Sequence, residues 1–334
     1  MSLSQALLNG DRLALARLLT KVENDSTEGR EALIELFPHT GRAHLIGVTG
    51  APGTGKSSLV NQLALYYRKN EDKRIAIVAV DPSSPFTGGA VLGDRVRMRD
   101  LSGDMNVFIR SMASRGSLGG LAQATANVVQ VFDAAGFDVV IVETVGAGQS
   151  EVDVARLAHT TLVVEAPGLG DDIQAIKAGI LEIADILVIN KADRPGVENA
   201  EKALKSMLEL AHPTARVFKH HGTYMSASMP EPDANSNMWI PPIQKTVSTE
   251  GQGIAELIRS IARHAEHLRL SGGWALRERT RLEVEIEALI REGLMNRFRE
   301  EVPAERYEEI LDQVLTRNIS PWEAVRQLMN GRSQ

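Results

Sequence analysis

Residues 44–57 read HLIGVTGAPGTGKS, and the expected fold class follows from them. The β-rich run HLIGVT is followed by Gly50-Ala51-Pro52-Gly53-Thr54-Gly55-Lys56-Ser57, which matches G-x-x-x-x-G-K-S, and a helical stretch starts at once. A glycine-rich loop between a strand and a helix points backbone N–H groups at phosphate oxygens. The alternative is a glycine turn with an incidental lysine, but the flanking strand and helix favour a phosphate-binding loop (P-loop). The predicted phosphate contacts are Gly53, Thr54, Gly55, Lys56, Ser57 and Ser58, with Lys56 reaching the β- and γ-phosphates and Ser57 giving a hydroxyl to Mg²⁺.

From residue 44 onward, short apolar runs alternate with helical stretches. After HLIGVT come RIAIVAV (74–80), NVFIR (106–110), FDVVIVE (137–143), TTLVVEA (160–166) and DILVIN (185–190). Strands that are apolar on both faces and alternate with helices are typical of a parallel sheet covered on both sides. The expected fold class is therefore α/β, a P-loop NTPase with a mostly parallel central sheet flanked by helices.

The chain divides by texture into three predicted parts. Residues 1–43 predict an N-terminal helical extension of one or two amphipathic helices, ended by Pro38 and Gly41. Residues 44–268 form the nucleotide-binding (G) domain, in which 212–242 is a polar insertion or loop with a short element near 216–219. Residues 269–334 form a C-terminal helical arm, with apolar stripes at 282–290 and 307–315.

Composition excludes several classes of protein. The 334 residues carry a net charge of −6 and contain no cysteine, which argues against nucleic-acid binding and removes disulfides, thiol nucleophiles and cysteine metal sites. The N-terminus lacks the pattern of a signal peptide, and no apolar run approaches the roughly 18 residues needed to cross a bilayer. We expect a cytoplasmic protein that binds neither nucleic acid nor membrane.

Three carboxylates fall where a phosphate-bound Mg²⁺ could use them together with Ser57. Asp81 ends one predicted strand, Glu143 ends another, and Asp94 lies in the loop TGGAVLGDRVRM. Ligands of doubly wound sheets bind outside the carboxyl ends of the strands, and Mg²⁺ takes oxygen ligands. The alternatives are a turn cap before Pro82 for Asp81 and a solvated loop charge for Asp94.

Glu143-Thr144-Val145-Gly146 stands where many GTPases carry D-x-x-G. The Gly146 amide is a candidate donor to the γ-phosphate, since glycine permits close backbone approach. Gln149 or Glu151 is a candidate to orient the attacking water. The alternative for both is a capping role at the helix that starts at Ser150.

Asn190-Lys191-Ala192-Asp193 follows the strand DILVI and predicts the base site. Asp193 can accept two hydrogen bonds from guanine, a donor pair that adenine lacks. Asn190 and Lys191 would brace the loop, and the alternative is a simple turn through Asp193 and Pro195. Ser248 and Thr249, ahead of the glycines of GQG, fit a further loop that contacts the base.

Longer strings resemble one family closely. The runs VDPSSPFTGGAVLGDRVRM (80–98), LGGLA (118–122), ETVGAGQSEVDV (143–154), PGLGDDIQAIKAGI (167–180) and NKADRPG (190–196) resemble the MeaB/MMAA/ArgK family. These are P-loop GTPases of the SIMIBI class that act as chaperones of adenosylcobalamin-dependent acyl-CoA mutases. The resemblance spans nearly the whole chain.

The resemblance implies a homodimer, with the C-terminal helical arm as its dimerisation arm. It implies binding to a mutase such as methylmalonyl-CoA mutase, gating of adenosylcobalamin loading, protection or reactivation of the mutase, and GTP hydrolysis that resets the cycle. Adenosylcobalamin stays on the partner, and the cobalamin adenosyltransferase is a second candidate partner. The first switch would include Asp94 and Arg97. A third, family-specific switch would include Asp171, Asp172 and Lys177, which by themselves indicate only a capped helix N-terminus.

Two other functions remain open on the residues. One is a nickel-insertion accessory GTPase, against which the lack of cysteine and of a histidine-rich tract counts. The other is an ArgK-like kinase or transport ATPase, against which the guanine-type loop counts. His264 and His267 are expected on a solvated helix face and not at a metal site.

Overall fold

The computed structural model describes residues 2–81, 98–101, 103–113, 120–144, 150–168, 183–211, 215–220, 223–228 and 238–330. By the density of its internal contacts the chain divides into two compact units, Met1–Arg279 and Thr280–Gln334. The three-part division drawn from the sequence remains a prediction. The helix start predicted around Asp171 and Asp172 lies outside the described residues.

A parallel sheet of seven strands forms the centre of the first unit. The strands are β1 His44–Thr49, β2 Ile75–Asp81, β3 Val107–Ala113, β4 Val139–Thr144, β5 Thr160–Glu165, β6 Ile186–Asn190 and β9 Ile243–Thr246. Their order is β3-β2-β4-β1-β5-β6-β9, so β1, which leads into the P-loop, lies in the middle. Ile46 of β1 is level with Ile141 of β4 on one side and Thr160 of β5 on the other. All carboxyl ends therefore face one edge.

Helices cover both faces of this sheet, which confirms the expected α/β class. The described helices of the unit are α1 Leu3–Leu8, α2 Arg12–Glu23, α3 Thr27–Leu36, α4 Lys56–Glu71, α5 Gly120–Ala134, α6 Ser150–Leu157, α7 Val197–Ala211 and α8 Ile254–Ser271, and α9 Gly273–Glu301 begins in it. One core joins α4 and α8 to the sheet through residues such as Leu63, Ile261 and Ile141. The opposite face packs against α5, for example through Phe132 and Val140.

The N-terminal segment forms three helices, so the expected one or two was wrong. Gly10 is left-handed at φ +86° and ends the first helix, and Asp25 at φ +52° separates the second from the third. Asp11 and Ser26 then cap α2 and α3 through their side-chain oxygens. Leu18 and Leu19 are fully buried in the same core as Phe132. These helices thus form an outer layer over α5.

The polar insertion contains a hairpin. Strands β7 Ala215–His220 and β8 Thr223–Ser228 pair antiparallel. The short element expected near 216–219 is part of this pair. At the end of the insertion, Trp239 donates its indole N–H to the backbone oxygen of Asp185 at 2.8 Å.

His264 is 1% exposed, so the expected solvated face was wrong for this residue. It lies on the same face of α8 as the buried Leu257, Ile261 and Leu268, a spacing typical of a core stripe. Its ring bonds the Thr160 hydroxyl at 3.0 Å and approaches Asp185 at 3.2 Å. Polar residues lie close to His264 in the sequence, so the pattern does not indicate that this histidine is buried. Only the apolar residues of a helical repeat indicate a buried face.

The second unit contains the rest of α9, then α10 Ala304–Leu315 and α11 Pro321–Asn330. Val302, Ile310, Ala324 and Leu328 form its small core. Ser320 caps α11 by accepting the Glu323 N–H at 3.2 Å, as the Ser-Pro-Trp-Glu pattern predicts. Among the described residues, no helix is both long and apolar enough to span a membrane.

Candidate nucleotide-binding site

The backbone of the P-loop depends on glycine. Gly50 has φ +137°, and a Cβ there would lie 2.1 Å from the backbone oxygen of Val164. Gly55 is left-handed at φ +92° and directly precedes α4, which no described side chain caps. The first N–H groups of a helix have no intrahelical acceptor. The amides at the start of α4 are therefore available to phosphate oxygens, with the favourable end of the helix dipole behind them.

Lys56 lies under the P-loop and is 5% exposed. Its Nζ donates to the backbone oxygens of Gly50 at 2.7 Å and Ala51 at 3.0 Å. Two backbone oxygens of the loop itself therefore fix the position of the Lys56 ammonium group. Ser58, in contrast, is exposed on the same turn of α4.

Ser57 and Glu143 meet across the carboxyl edge of the sheet. The Ser57 hydroxyl donates to Oε1 of Glu143 at 2.6 Å, and Glu143 is only 2% exposed. The contact arises because β4 pairs with β1, with Glu143 level with Val48 just before the P-loop. Next to it, the Thr144 hydroxyl donates to the Thr49 hydroxyl at 3.1 Å. Two predicted metal ligands are thus brought together.

Asn190 connects the P-loop with the loop after β9. Its Nδ2 donates to the backbone oxygen of Thr54 at 2.8 Å. Its Oδ1 accepts hydrogen bonds from the Thr246 hydroxyl at 3.1 Å and from the Ser248 hydroxyl at 2.7 Å and N–H at 3.2 Å. Asn190 is 1% exposed, so these bonds form away from water. One amide side chain therefore fixes the two loops at one spacing.

Lys191 and Asp193 follow Asn190 in the same loop and lie closer to the solvent. Lys191 is left-handed at φ +56°, and its Nζ donates to the backbone oxygen of Gly53 at 2.6 Å. The Ala192 N–H donates to the backbone oxygen of Thr246 at 3.0 Å, which attaches this loop to the end of β9. Asp193 and Thr249 are exposed, as residues that contact a bound base would be in the free protein.

Several predicted site residues lie outside the described residues: Asp94, Arg97, Gly146, Gln149, Asp171, Asp172 and Lys177. Asp81 is the last residue of β2, at the same edge as Glu143, and its side chain is not described. The side chain of Glu151, in α6, is likewise not described. Their roles remain predictions.

Sequence reasoning missed Thr246. A threonine that ends an otherwise ordinary strand carries little signal by itself, although its position two residues before Ser248 could have pointed to it. Its contact with Asn190 depends on the pairing of β6 with β9, in which Asn190 is level with Thr246.

Several known proteins resemble this chain in sequence or in fold. A family model described as methylmalonyl Co-A mutase-associated GTPase MeaB matches residues 15–303. A relative from Pyrococcus abyssi that is named a GTPase is 44% identical over 322 residues, which cover 96% of this chain and 93% of the relative. The mitochondrial methylmalonic aciduria type A homolog of Mus musculus is 31% identical over 320 residues, 89% of this chain and 72% of that protein.

The comparison with solved structures agrees with the sequence comparisons. The crystal structure of an LAO/AO transport system kinase matches with a TM-score of 0.68 at 27% identity, over 99% of this chain and 97% of that one. This confirms the expected P-loop NTPase fold. Because the family model covers most of the chain and the relatives are named GTPases, the chain is a P-loop GTPase that belongs to the MeaB family of methylmalonyl Co-A mutase-associated GTPases.

Proposed function

We propose that this GTPase binds an adenosylcobalamin-dependent acyl-CoA mutase and uses GTP hydrolysis to gate cofactor loading and to protect or reactivate the mutase. The observation that carries the proposal is the family match over residues 15–303, because the family is described by its association with methylmalonyl Co-A mutase. The name of the mouse relative points the same way. No observation on the described residues favours the nickel-insertion, kinase or transport-ATPase alternatives.

The residues at the carboxyl edge fit a magnesium ion. The Ser57 hydroxyl and the Glu143 carboxylate are hard oxygen ligands, and they already lie 2.6 Å apart. Ser57 would bind the metal directly, Glu143 directly or through water, and Asp81 and Asp94 complete the proposed set. When bound, Mg²⁺ supplies positive charge that offsets the charge of the phosphate oxygens.

Lys56 and the backbone amides would bind the phosphates. The Lys56 ammonium group would exchange its bonds to the oxygens of Gly50 and Ala51 for bonds to the β- and γ-phosphates. Because Lys56 is buried, its charge acts at low effective dielectric and stabilises the transferring phosphoryl group more than a solvated lysine would. Gly146 and Lys177 are proposed as further donors, and Gln149 as the residue that orients the attacking water.

Guanine would bind at the loops that Asn190 joins. Asp193 accepts from the base, the Lys191 stem covers one face of it, and Ser248 and Thr249 border the other side. Asn190 has no spare acceptor capacity in this arrangement, since its oxygen already accepts three hydrogen bonds. Its proposed role is to hold the two loops at this spacing.

The protein is proposed to act as a homodimer through α9. No residue of this helix is buried, and Ile286, Leu289 and Ile290 are each more than half exposed. In the second predicted stripe, Ile310 is buried in the unit's own core, which leaves Tyr307, Leu311 and Leu315 exposed. Contiguous exposed apolar side chains often mark a face that a partner covers.

The proposal is tested by co-purification with methylmalonyl-CoA mutase and with a related acyl-CoA mutase, each with and without adenosylcobalamin. We expect a stable complex with one mutase and a GTP hydrolysis rate that changes when that mutase is added. A Lys56→Ala variant should lose roughly 10²–10³-fold in hydrolysis rate, the usual loss when a donor to the transition state is removed.

Lys69→Ala is the matched control, because Lys69 is an exposed lysine at the other end of α4. It should hydrolyse GTP at the parent rate. A Lys56→Ala variant with the parent rate would show that the P-loop assignment is wrong. Absence of binding and of stimulation with every mutase would contradict the chaperone role while leaving the GTPase activity intact.

A further inference from the structure

A cavity of about 420 Å³ opens at the amino ends of the strands, opposite the nucleotide edge. It lies between the end of α4, the loop before β4 and the face of α8, entirely within the first unit. Its apolar wall is formed by Phe137, Val139, Ile258, Ile261 and Ala265. All five side chains are at most 4% exposed, so the wall is part of the packed core. A cavity of this volume is within the range of small-molecule sites.

Two cations border the opening without a carboxylate partner. Arg42 and Arg269 line the cavity, and neither forms an ion pair with any described carboxylate. Arg269 instead lies over the ring of Trp274, with its guanidinium carbon 4.5 Å from the ring centre. The Trp274 ring covers one face of the Arg269 guanidinium. The N–H groups, which lie in the plane of the guanidinium, remain available to an acceptor.

The other charged groups at the opening are already engaged. Lys73 pairs with Glu71 at 2.6 Å. Asp138 accepts the backbone N–H of Arg74 at 2.7 Å. Lys73 and the two arginines face the carboxylates of Glu71 and Asp138, so one net positive charge remains at the opening for a ligand. The two carboxylates would repel a doubly charged anion more than a singly charged one, so a monoanion fits best.

Two polar side chains lie among the apolar ones. Tyr67 lines the cavity at 3% exposure, and its hydroxyl makes no hydrogen bond to any described residue. His44 also lines it and bonds the Thr160 hydroxyl at 2.8 Å through Nε2. Burial, followed by coulombic interactions with His159, Arg269, His264 and Lys73, lowers the pKa of His44 to about 3. The ring is therefore neutral at pH 7.

We infer that this cavity is a second ligand site, separate from the nucleotide site, which takes an organic carboxylate carried on an apolar body. The carboxylate binds at Arg42 and Arg269, and the apolar body occupies the cavity that these arginines border. The Tyr67 hydroxyl supplies a hydrogen bond to a polar atom of that body.

The test uses 2-naphthoate as the probe and neutral 2-naphthamide as its uncharged counterpart. Binding to the full-length protein is measured by calorimetry with saturating GDP and Mg²⁺, so that the P-loop cannot bind the anion. We expect naphthoate to bind at least about tenfold more tightly than naphthamide, the effect of one charge-assisted pair. The double variant Arg42→Gln, Arg269→Gln should lose this preference, and Ala262→Trp at the exposed mouth should abolish binding of both compounds.

Arg263→Gln is the matched control, since Arg263 is an exposed arginine of α8 that does not line this cavity. It should bind both probes as the parent does. Thermal melting of each variant shows whether the fold is retained. Equal affinity for the acid and the amide would overturn the inference, and so would a folded double variant or a folded Ala262→Trp variant that binds naphthoate like the parent. These outcomes do not depend on any mutase or on GTP hydrolysis.

Discussion

At the scale of single residues, Asn190 determines how the two loops of the nucleotide site meet. It donates to the P-loop at Thr54 and accepts from Thr246 and Ser248. Each bond is buried, so an unpaired group left behind by its loss would cost about 1–3 kcal/mol. The short spacing between phosphate and base loops thus depends on one side chain that need not touch the nucleotide.

Asp193 belongs to the same scale, and its substitution tests the base site. We expect Asp193→Asn to weaken GTP binding by at least about 100-fold, because two hydrogen bonds to a carboxylate are worth about 3 kcal/mol together. The variant should gain affinity for xanthosine nucleotides, whose base offers an acceptor where guanine offers an amine. Equilibrium binding of fluorescent GTP and XTP analogues measures both changes.

Glu198→Gln, a nearby exposed carboxylate on α7, is the control and should bind GTP normally. If Asp193→Asn kept full GTP preference, the assignment of the base loop would be wrong.

At the scale of elements, the junction between the P-loop and α4 requires glycine twice, for different reasons. Gly53 and Gly55 both have left-handed φ values, +82° and +92°. A Cβ at Gly53 would meet nothing within 4 Å, whereas a Cβ at Gly55 would lie 2.5 Å from Nδ2 of Asn190. The second glycine is therefore required by the neighbouring loop as well as by its own backbone.

This difference gives a paired prediction. Gly53→Ala should cost only the left-handed strain, about 1–2 kcal/mol in the free energy of unfolding. Gly55→Ala should cost roughly 1–3 kcal/mol more, because the new methyl group displaces Asn190. Urea unfolding of the two variants measures the costs, and GTP affinity should fall further for Gly55→Ala. Equal losses in the two variants would show that Asn190 is not constrained by Gly55.

Buried polar groups at the amino ends of the strands connect α8 and the start of α9 to the sheet. Arg277 donates to both oxygens of Asp185, at 2.8 and 2.7 Å, and to the backbone oxygen of His159 at 2.7 Å. Trp274 stacks on His159 with the ring centres 3.8 Å apart, and Glu278 bonds the same histidine. Although burial alone would raise the pKa of Asp185, hydrogen bonds from His264 and Arg277 lower it below the ordinary value. The charged form of Asp185 is therefore the one that stabilises the fold.

At the scale of the whole molecule, these groups predict sensitivity to acid. An unfolded chain protonates His44 near its ordinary pKa of 6.5, whereas the folded protein holds that pKa at about 3. Stability is thus complete above pH 6.5 and decreases as the pH falls through this window, by up to about 1.4 kcal/mol per pH unit. The depressed pKa of Asp185 acts in the same direction at lower pH.

Replacing His44 with glutamine should reduce the slope, since glutamine can still bond Thr160 but does not titrate. We expect the free energy of unfolding of His44→Gln to change less than that of the parent protein between pH 6.5 and roughly pH 4.5, measured by urea unfolding at several pH values. Well above pH 6.5, where His44 is neutral in both the folded and the unfolded state, the difference in free energy of unfolding between the parent and His44→Gln gives the effect of the substitution itself. A variant that lost stability as steeply as the parent would exclude His44 as the cause.

The sequence by itself determined the sheet, the two nucleotide loops and the pairing of Ser57 with Glu143. Each of these is encoded locally: apolar runs specify buried strands, and a glycine pattern between a strand and a helix specifies the P-loop. Because parallel strands bring their carboxyl ends to one edge, residues that follow different strands meet there without further information. The family strings were equally readable, since they are long and specific.

Only the tertiary structure decided the contacts that depend on which strands and helices are neighbours. Thr246 reaches Asn190 because β9 pairs with β6, and that pairing leaves no pattern in either segment. His264 is buried because α8 turns that face to the sheet, where Thr160 and Asp185 offset the cost of burying its polar ring. The cavity beside Tyr67 and Arg269 likewise needs three separate segments to converge. A sequence states which side chains are apolar or charged, but the partners of a buried polar group are fixed only when the chain has packed.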